Sequence, residues 1–266
     1  MRAAAALLAG VAVLLPSVAV GPAWAGAWTQ PKGRGQVIVK YEDMRADQGF
    51  DSDGERVDLP EERRDASAGV FAEYGVTDRL TVQFKGDWQD GEDAFVTYEG
   101  RGPLEVGLTW QVWRDDRAAV SLYGGYASAG EGRNAGYAAP GVGDHDFEAR
   151  VSVGRSFGGL PVRWGPDRSF VEFQAARRMR DGLPDETRVD VTLGGHFGED
   201  WMVLAQAFGG AADDDGVVEG ARWLSMETSV VRRLGDWSLQ AGWRQTAAGR
   251  ETPISGGPVV AVWRRF

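Results

Sequence analysis

Apolar and polar residues alternate with a period of two along most of the chain. Residues 80–89, LTVQFKGDWQ, show the pattern clearly. One set of alternate positions holds Leu80, Val82, Phe84, Gly86 and Trp88. The other set holds Thr81, Gln83, Lys85, Asp87 and Gln89. Successive side chains of a strand point to opposite faces, so the pattern predicts strands with one apolar face. That face could contact a second sheet in a soluble sandwich, or it could contact lipid.

The alternation recurs in about twelve segments, each near the length of about ten residues that a tilted membrane strand needs. Longer links are expected near residues 45–65, 90–102, 128–144, 179–187, 210–221 and 247–256. Shorter links fall at residues 75–79, 114–116, 198–200 and 234–236, with residues 157–167 as an exception. Long and short links that alternate are typical of an outer-membrane barrel. We therefore predict an all-β, antiparallel, up-and-down transmembrane barrel of about 12 strands with periplasmic N- and C-termini. A soluble periplasmic β-protein is the alternative fold.

The N-terminus predicts export. Arg2 precedes an uncharged run over residues 3–20, and Ala23-Trp24-Ala25 follows the small-x-small rule of a cleavage site. We expect a signal peptide over residues 1–25 and a barrel domain over residues 26–266. A membrane anchor is disfavoured because the run is barely long enough to span and contains Pro16.

Charge and composition exclude several classes of function. The formal net charge is -10, which argues against a nucleic-acid partner. The acidic stretches at residues 50–55 and 212–216 lack the spacing of a calcium loop. The chain contains no cysteine. We predict neither a metal site nor a cofactor.

Aromatic residues cluster near the predicted strand ends, as in the girdles of membrane barrels. The candidate interface residues are Trp88, Tyr126, Trp201, Trp237, Trp263 and Phe266. The terminal Phe266 resembles the signal that the barrel assembly machinery reads on a C-terminal strand. Arg264 departs from the usual apolar residue at the third position from the end. The expected partners are outer-membrane lipid and lipopolysaccharide, the assembly machinery and a small-molecule solute.

The start of the predicted mature chain, GAWTQPKGRGQVIVKYE, resembles a group of proteobacterial outer-membrane barrels. The segment EYGVTDRLTV, residues 73–82, resembles the same group. Members are described as transporter-like proteins associated with the meta-cleavage pathway of phenol degradation. The resemblance covers the first third of the chain best. It implies passage or binding of small, aromatic or apolar compounds.

The polar face of each predicted strand would line the lumen. The candidates are Lys40, Glu42, Gln83, Lys85, Asp87, Glu105, Gln111, Glu148, Arg150, Glu172, Arg178, Arg188, Asp190, Glu227 and Arg244. We therefore expect a channel or transporter for small molecules and no enzyme. A non-conducting structural or adhesion barrel is the second hypothesis. A hydrolase at the rim that uses His145 beside Asp144 and Asp146 is the third.

Overall fold

The computed structural model describes residues 26–128, 130, 144–159, 165–214 and 220–266. Within these residues, twelve long strands and one strand of two residues form a single antiparallel sheet. Each long strand pairs with its neighbour in the chain, and β1 pairs with both β2 and the last strand. The sheet is therefore closed into a barrel, which confirms the predicted fold class.

The first six strands are β1 (Gly35–Phe50), β2 (Arg56–Thr77), β3 (Leu80–Glu92), β4 (Thr97–Arg114), β5 (Ala118–Ser128) and β6 (His145–Gly158). The others are β7 (Arg168–Arg180), β8 (Glu186–Phe197), β9 (Trp201–Ala212), β10 (Arg222–Leu234), β11 (Trp237–Arg250), β12 (Thr252–Pro253) and β13 (Gly256–Arg265). The short β12 pairs with the far end of β1. Among the described residues no helix is long and apolar enough to cross a bilayer.

The barrel is polar inside and apolar outside. Large apolar side chains on the outer face are half exposed, for example Leu108 at 51%, Leu193 at 51% and Leu239 at 49%. Inward side chains such as Gln111 and Ser229 are 1% exposed. A soluble sandwich would bury the apolar set and expose the polar one. A continuous apolar outer belt is instead the surface that lipid covers.

The strands extend further at one end than the alternation predicted. The prediction of a long link near residues 45–65 was wrong, because β1 and β2 pair almost to their tips and only residues 51–55 separate them. Residues 93–96 similarly suffice between β3 and β4. Backbone pairing continues beyond the apolar belt, where water contacts both faces and alternation is no longer required. We call this the loop end. The opposite end, where both described chain ends lie, is the turn end.

Aromatic side chains cover the outer face near both ends of the barrel. Trp88 and Tyr126 lie toward the loop end, and Trp201, Trp237 and Phe266 lie toward the turn end. Their exposed fractions range from 36% for Tyr126 to 52% for Trp88.

The structure corrects the placement of Trp263. This side chain is 6% exposed, and its Nε1 donates a 3.1 Å hydrogen bond to Gln240 Oε1 inside the barrel. Both faces of the last strand carry apolar residues, since Val259 and Ala261 also point inward. The alternation could therefore not assign Trp263 to a face.

Arg264 lies on the outer face of the turn end. Its Nη1 lies 2.8 Å from Asp236 Oδ2, and its Cζ lies 5.2 Å from the centre of the Trp237 ring. The hydrogen bond and charge of Arg264 hold the pKa of Asp236 below its usual range. This explains how the last strand accommodates a cation where an apolar residue is usual.

The predicted signal peptide and most of the glycine-rich link at 128–144 lie outside the described residues. The same holds for residues 160–164 of the expected exception at 157–167.

Candidate solute chamber inside the barrel

A chamber of about 550 Å³ occupies the middle of the barrel. A second cavity of about 690 Å³ lies toward the loop end. The two cavities share the lining residues Lys40, Glu42, Ser67, Lys85, Asp87, Phe208 and Arg244. The two cavities therefore lie next to each other, and together they extend from the loop end to the middle of the barrel.

A network of ion pairs covers the wall formed by β3 to β8, and Glu105 lies at its centre. Glu105 accepts hydrogen bonds from Lys85 Nζ at 3.0 Å and from the Tyr123 hydroxyl at 2.6 Å. It also pairs with Arg178 of β7, whose Nε lies 3.2 Å from Glu148 Oε2. Glu105, Arg178 and Glu148 are buried, so each needs its partners to offset the loss of water, whereas Lys85 is partly exposed.

The network continues toward β8. Arg150 Nε donates to Glu148 Oε1 at 2.9 Å, and Arg150 Nη1 donates to Gln174 Oε1 at 3.2 Å. Arg188 Nε donates to Glu186 Oε2 at 2.8 Å. The acidic and basic side chains of this wall therefore pair with one another, and few of them are left to bind a solute.

A second charged cluster lies on the opposite wall, around Glu227 of β10. Arg244 donates to Glu227 Oε2 from Nε at 3.0 Å and from Nη2 at 2.7 Å. Its Nη1 lies 3.3 Å from Glu42 Oε2, which also pairs with Lys40 at 2.9 Å. Arg244 thereby joins β1 to β10 and β11 across the inner surface.

Apolar side chains from β7, β9, β13, β1 and β2 interrupt the polar lining. The set consists of Ile38, Phe71, Phe170, Leu204, Phe208 and Trp263. Arg244 Cζ lies 4.7 Å from the centre of the Phe208 ring, so the cationic cluster abuts an aromatic face. The chamber can thus offer a solute an apolar surface beside charged groups.

The chain segment before β1 closes the turn end of the chamber. Residues 26–30, which we call the N-terminal plug, lie inside the barrel, and residues 27–30 are at most 6% exposed. The Ala27 carbonyl accepts from Ser121 Oγ at 2.7 Å and from Gln111 Nε2 at 3.1 Å. The Gln30 backbone N–H donates to Thr81 Oγ1 at 2.9 Å. The plug therefore satisfies its backbone groups with polar side chains of the barrel wall.

Trp28 is the apolar anchor of the plug. Its ring packs edge-on to Phe170, with centroids 6.3 Å apart. Gly154 of β6 leaves room for the ring, because an added Cβ there would lie 2.3 Å from Trp28 Cη2. A small residue on the wall thus defines the seat of Trp28.

The structure places all the sequence-predicted lumen side chains on the inner face. They are Lys40, Glu42, Gln83, Lys85, Asp87, Glu105, Gln111, Glu148, Arg150, Glu172, Arg178, Arg188, Asp190, Glu227 and Arg244. These side chains lie in different parts of the lumen. Gln111 and Glu172 contact the plug, whereas Asp87 and Asp190 line the second cavity, toward the loop end. The sequence analysis missed the plug and the apolar lining at Leu204 and Phe208. A non-alternating, buried-type Ala27-Trp28 pair before the first strand was the available signal.

His145 lies on the outer face, away from any buried acid. Its Nδ1 lies 2.6 Å from the Tyr126 hydroxyl, and the two rings are stacked. Asp146 points into the barrel and is 1% exposed. The structure therefore separates the His145 and Asp146 of the proposed rim hydrolase onto opposite faces. In the described part of the chain, no group of three or more histidine or acidic side chains could hold a metal ion.

Solved structures resemble this chain in fold. No protein-family model and no curated protein matches the sequence. An outer membrane channel from Pseudomonas putida F1 is 13% identical, with a TM-score of 0.66 over 93% of this chain and 100% of that chain. The NanC porin is 8% identical, with a TM-score of 0.54 over 85% of this chain and 98% of that chain. The translocator domain of the autotransporter NalP from Neisseria meningitidis is 11% identical, with a TM-score of 0.50 over 91% of each chain. The chain therefore has the fold of outer-membrane β-barrels.

Proposed function

We propose that this protein is an outer-membrane channel for small molecules, entered from the loop end and closed at rest by the N-terminal plug. The observation that carries the proposal is the pair of adjoining cavities between the loop end and the middle of the barrel, with residues 27–30 buried on the turn-end side. Buried polar groups that only served stability would favour a filled interior. Here cavities of about 550 and 690 Å³ remain open inside a lipid-facing shell.

The proposed solute is a small aromatic or apolar compound. The apolar lining around Phe208 and Trp263 supports this class, since aromatic rings offer large contact area at little entropic cost. The resemblance of the first third of the chain to the transporter-like group of phenol degradation points the same way. The ring of Phe208 beside Arg244 would suit an aromatic compound with a carboxylate.

The orientation and partners follow from the same proposal. The plug and Phe266 would face the periplasm, and the longer strand ends would face outward toward lipopolysaccharide. Outer-membrane lipid would cover the apolar belt. The C-terminal strand would be recognised by the assembly machinery.

A non-conducting structural barrel is the second candidate, and the buried plug is the observation that favours it. The two functions differ in one property, which is whether the plug leaves its seat. Conductance with and without the plug therefore separates them.

The test is ion conductance in planar lipid bilayers. Folded protein, verified by a gel mobility that shifts on boiling, would be compared with a variant lacking residues 26–30. For a channel we expect brief steps from the full chain and long, larger steps from the deletion variant. A deletion variant that inserts but never conducts would exclude a passage through the barrel and leave the structural function.

Solute class is tested on the conducting variant. Benzoate in the bath should reduce the current more strongly than acetate, which has the same charge and no ring. Phe208→Ala should remove the difference between the two anions. Equal reduction by benzoate and acetate before the substitution would contradict the aromatic solute class.

A further inference from the structure

Glu172 of β7 is a buried carboxylate without a cationic partner. It is 1% exposed, its Oε1 accepts from Gln174 Nε2, and its Oε2 accepts from the backbone N–H of Ala27 at 3.2 Å. No described lysine or arginine forms an ion pair with it. Five inward glutamates do have such pairs, namely Glu42, Glu105, Glu148, Glu186 and Glu227. Glu73 also lacks an ion pair among the described residues, but it accepts hydrogen bonds from the side-chain amides of Gln30 and Gln36. Burying an isolated carboxylate is costly, and a positive charge beside Glu172 would offset that cost.

Gly26 lies beside this carboxylate. An added Cβ at Gly26 would lie 2.8 Å from Ser152 Oγ and 2.9 Å from Gln174 Nε2. Gly26 is half-buried at the edge of the chamber, against the side chains that surround Glu172. Standard bond lengths place the Gly26 nitrogen about 3–4 Å from the Ala27 nitrogen, and thus within about 7 Å of the carboxylate. Rotation of a single peptide unit can bring the Gly26 nitrogen into contact with it.

We propose that Glu172, with Ser152 and Gln174, is the binding site for the α-ammonium group that cleavage after Ala25 creates on Gly26. Hydrolysis adds one water across the Ala25–Gly26 peptide bond, leaving a carboxylate on Ala25 and an amine on Gly26 that takes up a proton. The ammonium has three donors, which match the Glu172 carboxylate and the Ser152 hydroxyl. In an uncleaved chain the same nitrogen is a neutral amide with one donor.

The ion pair would make removal of the signal peptide a condition for stable docking of the plug. Breaking a buried pair by removal of one partner is strongly destabilising. The passage would therefore acquire its closed state only after export and processing. This inference concerns the seating of the plug and holds whether or not the barrel conducts.

The test measures the accessibility of the N-terminal amine. Protein purified from outer membranes would first be weighed by mass spectrometry, which should place the first residue at Gly26. The folded protein would then be treated with 2-pyridinecarboxaldehyde, which modifies N-terminal α-amines. We expect slow labelling of the wild type and labelling faster by about tenfold or more in Glu172→Gln, because a hydrogen bond to a charged group is lost.

Asp87→Asn is the matched control, since it removes the same charge from the inner face of β3, where Asp87 accepts a hydrogen bond from Gln89 at 2.9 Å. It should label at the wild-type rate. An alanine inserted between Ala25 and Gly26 keeps Glu172 intact but displaces the ammonium, and it should also label quickly. A mature chain that begins elsewhere, or wild-type labelling rates in both the insertion and Glu172→Gln, would overturn the proposal. Absence of conductance would contradict the proposed channel and leave this result unchanged.

Discussion

Gln30 Nε2 donates a 2.6 Å hydrogen bond to Glu73 Oε1, although the two residues lie 43 positions apart. Gln36 of β1 donates to the same oxygen at 2.7 Å. All three side chains are at most 6% exposed. The plug is thus tied to the wall by buried polar contacts. Water can replace such contacts when the plug leaves, so its release costs less than exposing an apolar core of the same size.

Trp28→Ala should favour the open state of the passage. The ring packs against Phe170 and is 6% exposed, and truncation of a buried aromatic costs about 3–5 kcal/mol. Single-channel recordings should show longer open times. Trp88→Ala removes the same side chain from the outer face, where it is 52% exposed, and should leave open times unchanged. Equal effects of the two substitutions would argue against Trp28 as the anchor.

Gly154→Ala should displace the intact Trp28 ring, because it adds a methyl group to the wall against which the ring packs. The added Cβ would lie 2.3 Å from Trp28 Cη2, and contact at this distance forces the ring to move. Gly124→Ala on β5 is the control, because nothing lies within 4 Å of the added Cβ. Conductance and tryptophan fluorescence should change in the first variant only. Unchanged conductance and fluorescence in Gly154→Ala would contradict close packing of Trp28 against Gly154.

Glu105→Gln should shift the ion selectivity of the open passage toward anions. The substitution removes the negative charge that pairs with Lys85 and Arg178 at the centre of the wall, and it leaves Arg178 with Glu148 as its partner. It should also destabilise the barrel by about 3–5 kcal/mol, as expected when one partner of a buried pair is removed. Reversal potentials in a KCl gradient, measured in the plug-deleted protein, test the selectivity. Glu92→Gln at the exposed tip of β3 should not move the reversal potential.

Leu193→Arg should impair folding into lipid vesicles. Leu193 is 51% exposed on the outer face of β8 and lies four positions from Phe197 at the turn end, near the middle of an apolar band about 25 Å tall. An arginine at that depth costs about 2–4 kcal/mol. Urea titrations in vesicles measure this loss. Asp116→Arg in the turn between β4 and β5 adds the same side chain outside the band and should be neutral.

Phe266→Ala should lower the yield of folded barrel in cells. The Phe266 ring covers Gly35, and the two residues exchange backbone hydrogen bonds of 2.9 and 3.0 Å where the last strand meets the first. Phe95→Ala in the exposed link between β3 and β4 is the control, since Phe95 is 71% exposed. The heat-modifiable fraction in outer membranes should fall only for Phe266→Ala. An unchanged fraction would show that the terminal aromatic is dispensable for assembly.

The faces of the strands could be predicted because the period of two is a property of the extended backbone itself. The inward orientation of Lys85 and Glu227 follows from the alternation of residues along their strands, and both side chains line the chamber. The register of residues 201–209 does not follow from counting, since both faces are apolar. Met202 and Leu204 point inward, each 5% exposed, whereas Trp201 and Val203 point outward.

The contacts of the plug could not be predicted from the local sequence, although the apolar Ala27-Trp28 pair was a signal for a buried segment before β1. Ala27 contacts Glu172 across 145 positions and Ser121 across 94 positions. These contacts depend on the closed barrel, and no alternation within residues 26–30 indicates them. The strand ends beyond the belt were also missed, because pairing there relies on backbone hydrogen bonds that leave no side-chain pattern.

The seat of Ala27 is assembled from Gln111 of β4, Ser121 of β5 and Glu172 of β7. This surface does not exist until those three strands are in register. Residues 26–30 therefore have no complete binding surface on any single strand or hairpin, and their position depends on the closed wall as a whole.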